Sequence, residues 1–234
     1  MRQIQENINA IIKEKDLAAG QAGRKGDDVL LVAVTKTRTP EEINEAIDCG
    51  ITDIGENKVQ EIVDKHDLVK PVRWHLIGHL QTNKVKYIID KVCLIHSVDS
   101  LRLAREIDRR AAQKGLSMDI LIQVNAAEEE SKFGISREET RKLAEDILET
   151  CPHVRIRGLM HIAPFAPDPE EVRVYFRQVR ELYDSLKEIS HERLDFQYLS
   201  MGMSHDFATA IQEGANLIRV GTSIFGERDY GNQK

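Results

Sequence analysis

The stretch "VLLVAVTKTRTPEE", residues 29–42, contains one complete structural unit. It begins with a run of apolar residues that leads to Lys36, and such a run is typical of a β-strand that is buried on both faces. Thr39 then precedes Pro40, and Glu42 occupies the third helical position, which is the pattern of a capped helix start. The stretch therefore predicts a strand, a short turn that begins with a lysine, and a helix.

The same strand-then-helix unit recurs along the chain. The predicted strands are "VLLVAVTK", "ITDIGEN", "VRWHLIG", "VCLIHSVD", "MDILIQVN", "VRIRGLMH", "FQYLSMG" and "NLIRVGTSIFG". Because strand and helix alternate about eight times, the pattern favours an α/β fold closed into a TIM (β/α)8 barrel. An open doubly wound sheet is the alternative, and it is weakened because no GxGxxG motif follows the first strand.

No linker or low-complexity segment divides the 234 residues. We therefore predict a single domain over residues 1–234, with an additional N-terminal helix over residues 1–20 and the barrel over residues 28–226. Further helix ends are predicted at Ser100, Gly115, Ser136, Asp168 and Ser204.

Composition excludes several classes of partner. The net charge of −6 argues against nucleic-acid binding and against docking on an anionic membrane. No apolar run has the length of a signal peptide or of a membrane span. The three cysteines are far apart and form no CxxC or Cys/His metal spacing, which predicts a cytoplasmic protein without a metal site.

In a barrel of this kind the functional side chains lie at the carboxyl ends of the strands. The residues there are Lys36; Glu56 and Asn57; His79; Ser97 and Asp99; Asn125; Met160 and His161; the segment Ser200 to Ser204; and Gly221 with Thr222. A lysine in this position can act as a nucleophile and form an imine with a carbonyl ligand. The alternative is that Lys36 simply extends from the strand end into solvent.

Two segments near the end of the chain, "SMGMSHDF" and "IRVGTSIFG", carry glycine and hydroxyl residues in the turns where such barrels build a phosphate site: Gly202, Ser204, Gly221 and Thr222. Glycines let backbone N–H groups approach an anion, and the hydroxyls add donors. Either segment alone equally predicts a plain turn. Together with Lys36, they favour a ligand that has both a phosphate and a carbonyl group, such as pyridoxal 5′-phosphate (PLP).

Arg219 lies two residues before Gly221 in an otherwise apolar strand. An arginine that points inward needs a partner, because an unpaired buried charge is costly. PLP enzymes place an Asp or an Arg against the pyridine nitrogen, which suits Arg219. The alternative is a salt bridge within the barrel.

Seven segments, "AVTKTRTP", "IGENKVQE", "WHLIGHLQTNK", "SKFGI", "GLMHIAPFA", "LSMGMSHDFATAI" and "IRVGTSIFG", together resemble the pyridoxal phosphate homeostasis protein family. The members of this family are single-domain relatives of the alanine racemase N-terminal barrel. The resemblance implies a modified TIM barrel that binds PLP as a Schiff base on Lys36. It also implies roles for eight further residues: Ser200, Gly221 and Thr222 on the phosphate, the backbone of Met201 and Gly202 beside it, Arg219 at the pyridine nitrogen, and Asn57 and His79 near the cofactor.

The resemblance further implies a protein that supplies PLP to apo-enzymes and has no strong catalytic activity. The alternatives are a PLP-dependent amino-acid racemase and, less favoured, a Schiff-base aldolase. A two-base racemase needs an acid/base on each face of the substrate carbon. Lys36 would serve one face, but the chain ends at Lys234 without the second domain that brings a catalytic tyrosine in alanine racemases, and we expect Tyr198 to be structural. Without a dimerising domain, we expect a monomer.

Overall fold

A computed structural model describes residues 2–129 and 133–227 of the chain. Its strands are β1 (Leu30–Val34), β2 (Asp53–Glu56), β3 (Arg73–Leu76), β4 (Leu94–Val98), β5 (Met118–Val124), β6 (Val154–His161), β7 (Leu194–Ser200) and β8 (Leu217–Val220). Every strand runs parallel to the next, and β8 pairs with β1, so the sheet closes. The predicted eight-stranded α/β barrel is confirmed.

Helices surround this barrel. They are α1 (Arg2–Gln21), α2 (Pro40–Asp48), α3 (Val59–Lys65), α4 (Leu101–Lys114), α5 (Arg137–Thr150), α6 (Arg173–Leu186), α7 (Phe207–Gln212) and α8 (Thr222–Phe225). The connection between β3 and β4 contains a 3-10 helix, Thr82–Tyr87, in place of an α-helix, and another 3-10 turn, Pro169–Val172, precedes α6.

The additional N-terminal helix α1 covers the side of the barrel. It packs against α2, α7 and α8, and it buries Ile8 and Ile11. Asn7 Nδ2 donates to the carbonyl oxygen of Ile224 at 2.8 Å, so α1 also holds the helix that follows β8.

Most of the predicted helix ends are confirmed. The Thr39 hydroxyl accepts the N–H of Glu42, and the Glu42 carboxylate accepts the N–H of Thr39 at 2.8 Å, which is a complete capping box. Ser100 and Ser136 cap α4 and α5, and Gly115 ends α4 with a φ of 66°.

Two predicted boundaries are corrected. Strand β8 ends at Val220, because the carbonyl oxygen of Gly221 accepts the N–H groups of Ile224 and Phe225 and coils the chain into α8. Helix α7 begins at Phe207 rather than at Ser204. A separate turn precedes it, in which the Asp206 carboxylate accepts the N–H of Met203 at 2.6 Å.

The barrel has an apolar layer between strands and helices and a smaller cluster inside. The inner cluster consists of Val32, Leu94, Leu121, Met160 and Leu217. Polar side chains share this interior, since His96 and Arg219 lie two residues beyond inner-cluster members on their strands. Asp53, His75, His96, Ser200 and Arg219 are all buried.

Among the described residues, no helix is long and apolar enough to cross a membrane. No group of three or more His, Cys, Asp or Glu side chains in the same ranges could hold a metal ion.

Candidate functional site

The predicted lysine and the predicted phosphate turn come together at the carboxyl end of the barrel. Lys36 follows β1, and Gly221 follows β8, which pairs with β1 at Ala33 and Val220. A Cβ at Gly221 would lie 3.1 Å from Val34 Cβ, so the two strand ends are in contact. Lys36 therefore lies beside the glycine turn that follows β8.

The turn that begins with Lys36 is held in an unusual backbone conformation. Thr37 has a φ of 66°, a left-handed value that β-branched residues rarely adopt. Its N–H donates to Glu61 Oε2 at 2.7 Å, and Lys65 Nζ donates to the carbonyl oxygen of Thr35 at 3.1 Å. Two side chains of α3 thus fix the backbone on both sides of Lys36, which is half-buried.

Glu56 belongs to this support and not to the barrel mouth. Its Oε1 accepts from the Thr35 hydroxyl at 2.8 Å and from Lys65 Nζ at 2.9 Å. Burial raises the pKa of Glu56, and Lys65 opposes this rise. Within the described part of the chain, Oε2 of Glu56 is buried without a hydrogen-bond partner. The sequence places Glu56 among the candidate residues at the strand ends. In the structure it supports the turn that begins with Lys36.

Asn57 and His79 lie next to each other after β2 and β3. A Cβ at Gly78 would meet the carbonyl oxygen of Asn57 at 2.3 Å, so only glycine allows this approach of the two turns. Asn57 is half-buried, and the exposed His79 ring stacks on Phe133 with a centroid separation of 3.8 Å. Both residues therefore border the same end of the barrel as Lys36.

Arg219 points into the barrel and is only 3% exposed. Its guanidinium donates from Nη1 to the Ser200 hydroxyl and from Nη2 to the carbonyl oxygen of His161 at 2.8 Å. Both acceptors are neutral. These contacts are therefore not the salt bridge within the barrel that was the alternative interpretation of Arg219 from the sequence. Burial lowers the pKa of Arg219 to about 10, and the nearby Asp206 carboxylate opposes this shift.

The Ser200 hydroxyl and the Met201 amide, both predicted to lie at the phosphate, have hydrogen-bond partners within the barrel. The Ser200 hydroxyl is fully buried and contacts Arg219 and, at 3.1 Å, His96 Nδ1. The N–H of Met201 is bonded to the carbonyl oxygen of Leu217 at 3.2 Å. The sheet and the barrel interior thus engage both groups.

Ser204, four residues after Ser200, contacts the turn after β8. Its Oγ accepts the N–H of Gly221 at 3.3 Å, which joins the turn after β7 to the turn after β8. Gly202 permits this path, since its φ is 95° and a Cβ there would lie 2.9 Å from Phe207 Cα.

Thr222 is exposed at the start of α8, where N–H groups have no partner within the helix. Hydroxyl and amide donors thus converge as an anion site requires, so these residues fit a phosphate group.

Two groups of residues were not predicted from the sequence. Glu61 and Lys65 lie on the inner face of α3, and nothing local in the sequence indicates which strand end they reach. Asp53, His75 and His96 form a polar path inside the barrel. Their signal was a titratable residue in each of three short strands: Asp53 begins β2, and His75 and His96 lie inside β3 and β4.

Comparison with known proteins agrees with this geometry. The family described as alanine racemase, N-terminal domain, matches residues 19–229. A pyridoxal phosphate homeostasis protein of Aquifex aeolicus is 45% identical over 96% of this chain and 98% of its own length. The Escherichia coli K12 protein of the same name is 37% identical over the whole of both chains.

Solved structures give the same result. PipY of Synechococcus elongatus with PLP bound has a TM-score of 0.82 and 33% identity, covering 96% of this chain and 100% of that chain. An alanine racemase of Clostridium difficile 630 has a TM-score of 0.72 at 11% identity and is covered over 58% of its length, so it shares the fold alone. This chain belongs to the pyridoxal phosphate homeostasis protein family, and its barrel is that of the alanine racemase N-terminal domain.

Proposed function

We propose that this protein binds PLP, holds it through a Schiff base on Lys36, and supplies it to apo-enzymes without strong catalytic activity of its own. The observation that carries the proposal is the placement of Lys36 beside the turn of Ser204, Gly221 and Thr222, with Arg219 buried one layer below. A ligand with an aldehyde, a ring nitrogen and a phosphate matches these three features. The Schiff base forms when neutral Nζ attacks the aldehyde carbon and one water molecule leaves.

The other residues have binding roles in this proposal. Ser204 and Thr222 donate to the phosphate, and Arg219 donates to the ring nitrogen. Asn57 and His79 border the cofactor. Bound PLP supplies an electrophilic aldehyde and a ring that can withdraw electrons. An arginine at the ring nitrogen keeps that nitrogen unprotonated, because arginine retains its proton, and this weakens the ring as an electron sink.

The position of Tyr198 favours a carrier over a racemase. Tyr198 lines a cavity with Arg73 and Asn216 at the amino-terminal face of the barrel, away from Lys36. This position does not support a role for Tyr198 as the second acid/base. Exposed site residues such as His79 and Thr222 suit the release of a cofactor to another protein better than catalysis in a closed site.

Borohydride reduction of the PLP-loaded protein, followed by peptide mass mapping, tests the proposal. We expect the pyridoxyl group on Lys36, and Lys36→Ala should fold normally but lose the visible absorbance band. A visible band that persists in Lys36→Ala, with the adduct on Lys58 or Lys84, would refute the assignment. Absence of a band from the wild-type protein would favour an aldolase or another phosphate-binding function.

A further inference from the structure

A continuous chain of hydrogen bonds crosses the inside of the barrel. It starts at Arg219, whose Nη1 contacts Ser200 Oγ, and continues from Ser200 Oγ to His96 Nδ1 at 3.1 Å. His96 Nε2 lies 2.9 Å from His75 Nδ1, and His75 Nε2 lies 2.8 Å from Asp53 Oδ1. All five side chains are buried, and together they link β8 to β2.

One arrangement of hydrogens gives every bond a donor and an acceptor and also uses the Ser200 hydroxyl hydrogen. Arg219 can only donate, so Ser200 Oγ accepts from it, and in this arrangement the Ser200 hydroxyl hydrogen donates to His96 Nδ1. His96 then carries its proton on Nε2 and donates to His75 Nδ1. Read from the other end, the Asp53 carboxylate accepts from His75 Nε2, so His75 also carries its proton on Nε2. Both directions give the same tautomers.

The charges agree with this assignment. Burial lowers the pKa of His96 well below its ordinary value, and the Arg219 charge lowers it further, so His96 is neutral. Burial alone would raise the pKa of Asp53, but donors on His75 and Thr52 outweigh it, and the net pKa is lowered. In this arrangement of hydrogens, Arg219 is the cation at one end of the hydrogen-bond chain, Asp53 is the anion at the other, and each imidazole ring between them donates from Nε2 and accepts at Nδ1.

The Asp53 end lies at the face opposite the candidate site. Asp53 is the first residue of β2, and it also accepts from Arg73 Nε at 2.8 Å. The Arg73 side chain is 55% exposed, so solvent reaches this cation at the amino-terminal face.

We infer that His96, His75 and Asp53 are positioning residues for Arg219, acting through the Ser200 hydroxyl. The hydrogen-bond chain directs a lone pair of Ser200 Oγ at Nη1 of Arg219, and the carbonyl oxygen of His161 accepts from Nη2. The guanidinium therefore has one orientation. In a buried chain each bond polarises the next, and the anion at Asp53 strengthens the acceptor at Ser200. The effect of this orientation on the ring nitrogen of PLP rests on the proposed function. The tautomers of His75 and His96 do not depend on it.

Nitrogen-15 NMR of histidine in the ligand-free protein tests the chain directly. We expect the His75 and His96 rings to carry a proton on Nε2 and none on Nδ1 near neutral pH, with the His96 signals assigned by their loss in His96→Asn. A proton on Nδ1 of either ring, or a doubly protonated ring, would overturn the inference.

Ligand titration tests the effect on Arg219. Asp53→Asn keeps an acceptor for His75 but removes the charge, and it should weaken PLP binding roughly three- to tenfold. It should not change the binding of a PLP analogue whose ring nitrogen is replaced by CH. The matched control is Asp119→Asn. Asp119 also lies near the start of its strand and pairs with Arg155 and Arg157, but it is not a member of the hydrogen-bond chain between Arg219 and Asp53. This control should bind both ligands as the wild type does.

Equal weakening of both ligands by Asp53→Asn would indicate a merely structural residue and overturn the inference, as would no weakening of either. If the wild-type protein bound neither ligand, the proposed function would fail, and the tautomers alone would decide for or against the chain.

Discussion

Replacement of Lys65 by methionine tests the support beneath Lys36. The Lys65 amine is buried and donates to Glu56 Oε1 at 2.9 Å, to Glu61 Oε2 at 2.7 Å and to the carbonyl oxygen of Thr35 at 3.1 Å. Methionine retains the apolar stem but leaves the fully buried Glu56 without its cation. Breaking a buried ion pair in this way costs about 3–5 kcal/mol, so we expect Lys65→Met to lower the free energy of unfolding by that amount near neutral pH.

The loss should depend on pH with a definite sign. Burial raises the pKa of Glu56 above its ordinary value of 4.5, and Lys65 is the main group that opposes this rise. Without Lys65 the folded protein binds the Glu56 proton still more tightly than the unfolded chain. Stability must then fall as pH rises above the ordinary value, by at most about 1.4 kcal/mol per pH unit. The defect of Lys65→Met should therefore shrink on acidification toward about pH 5.

Urea unfolding between about pH 5 and pH 8 measures this effect. The control is the double variant Lys65→Met with Glu56→Gln, which carries no buried carboxylate and should be less sensitive to pH than Lys65→Met. A defect of Lys65→Met below about 1 kcal/mol, or one that is the same at every pH, would refute the view that Lys65 neutralises Glu56.

Four further outcomes are expected at the candidate site. Thr222→Ala should weaken PLP binding about tenfold and leave unphosphorylated pyridoxal unaffected, which parallel titrations with both ligands would measure. Ser204→Ala should behave like Thr222→Ala in the same titrations. Ser200→Ala should instead behave like Arg219→Ala, weakening both ligands and shifting the absorbance of the bound cofactor; selective loss of phosphate binding in Ser200→Ala would support the phosphate role predicted from sequence. In heavy water with excess alanine, the loaded wild-type protein should exchange the α-hydrogen negligibly, and exchange at enzyme-like rates would show a racemase.

Local patterns in the sequence were sufficient to predict the barrel. Apolar strands and capping residues such as Thr39, Ser100 and Gly115 act over a few neighbours, and their expected structures were observed.

The different hydrogen-bond partners of Ser200 and Ser204 could not be predicted in the same way. They depend on where β7 ends and on the left-handed backbone of Gly202, which directs the following turn toward Gly221. Both serines lie in one short motif, and the motif alone does not show which hydroxyl remains inside the barrel. The reach of Lys65 likewise depends on how α3 packs against the end of β1.

The interior of this barrel is more polar than stability alone favours. Buried charges are often neutral or unfavourable for stability compared with apolar side chains of similar volume, and Arg219 and Asp53 are both buried here. Apolar residues fill neighbouring inward positions, Leu217 on the strand of Arg219 and Leu94 on the strand of His96. The fold itself therefore accepts apolar side chains inside the barrel. The polar chain has one end beside the phosphate turn, where a bound ring would meet Arg219. Its presence is therefore better explained by the need to hold a cation in one orientation at the candidate site than by a contribution to folding.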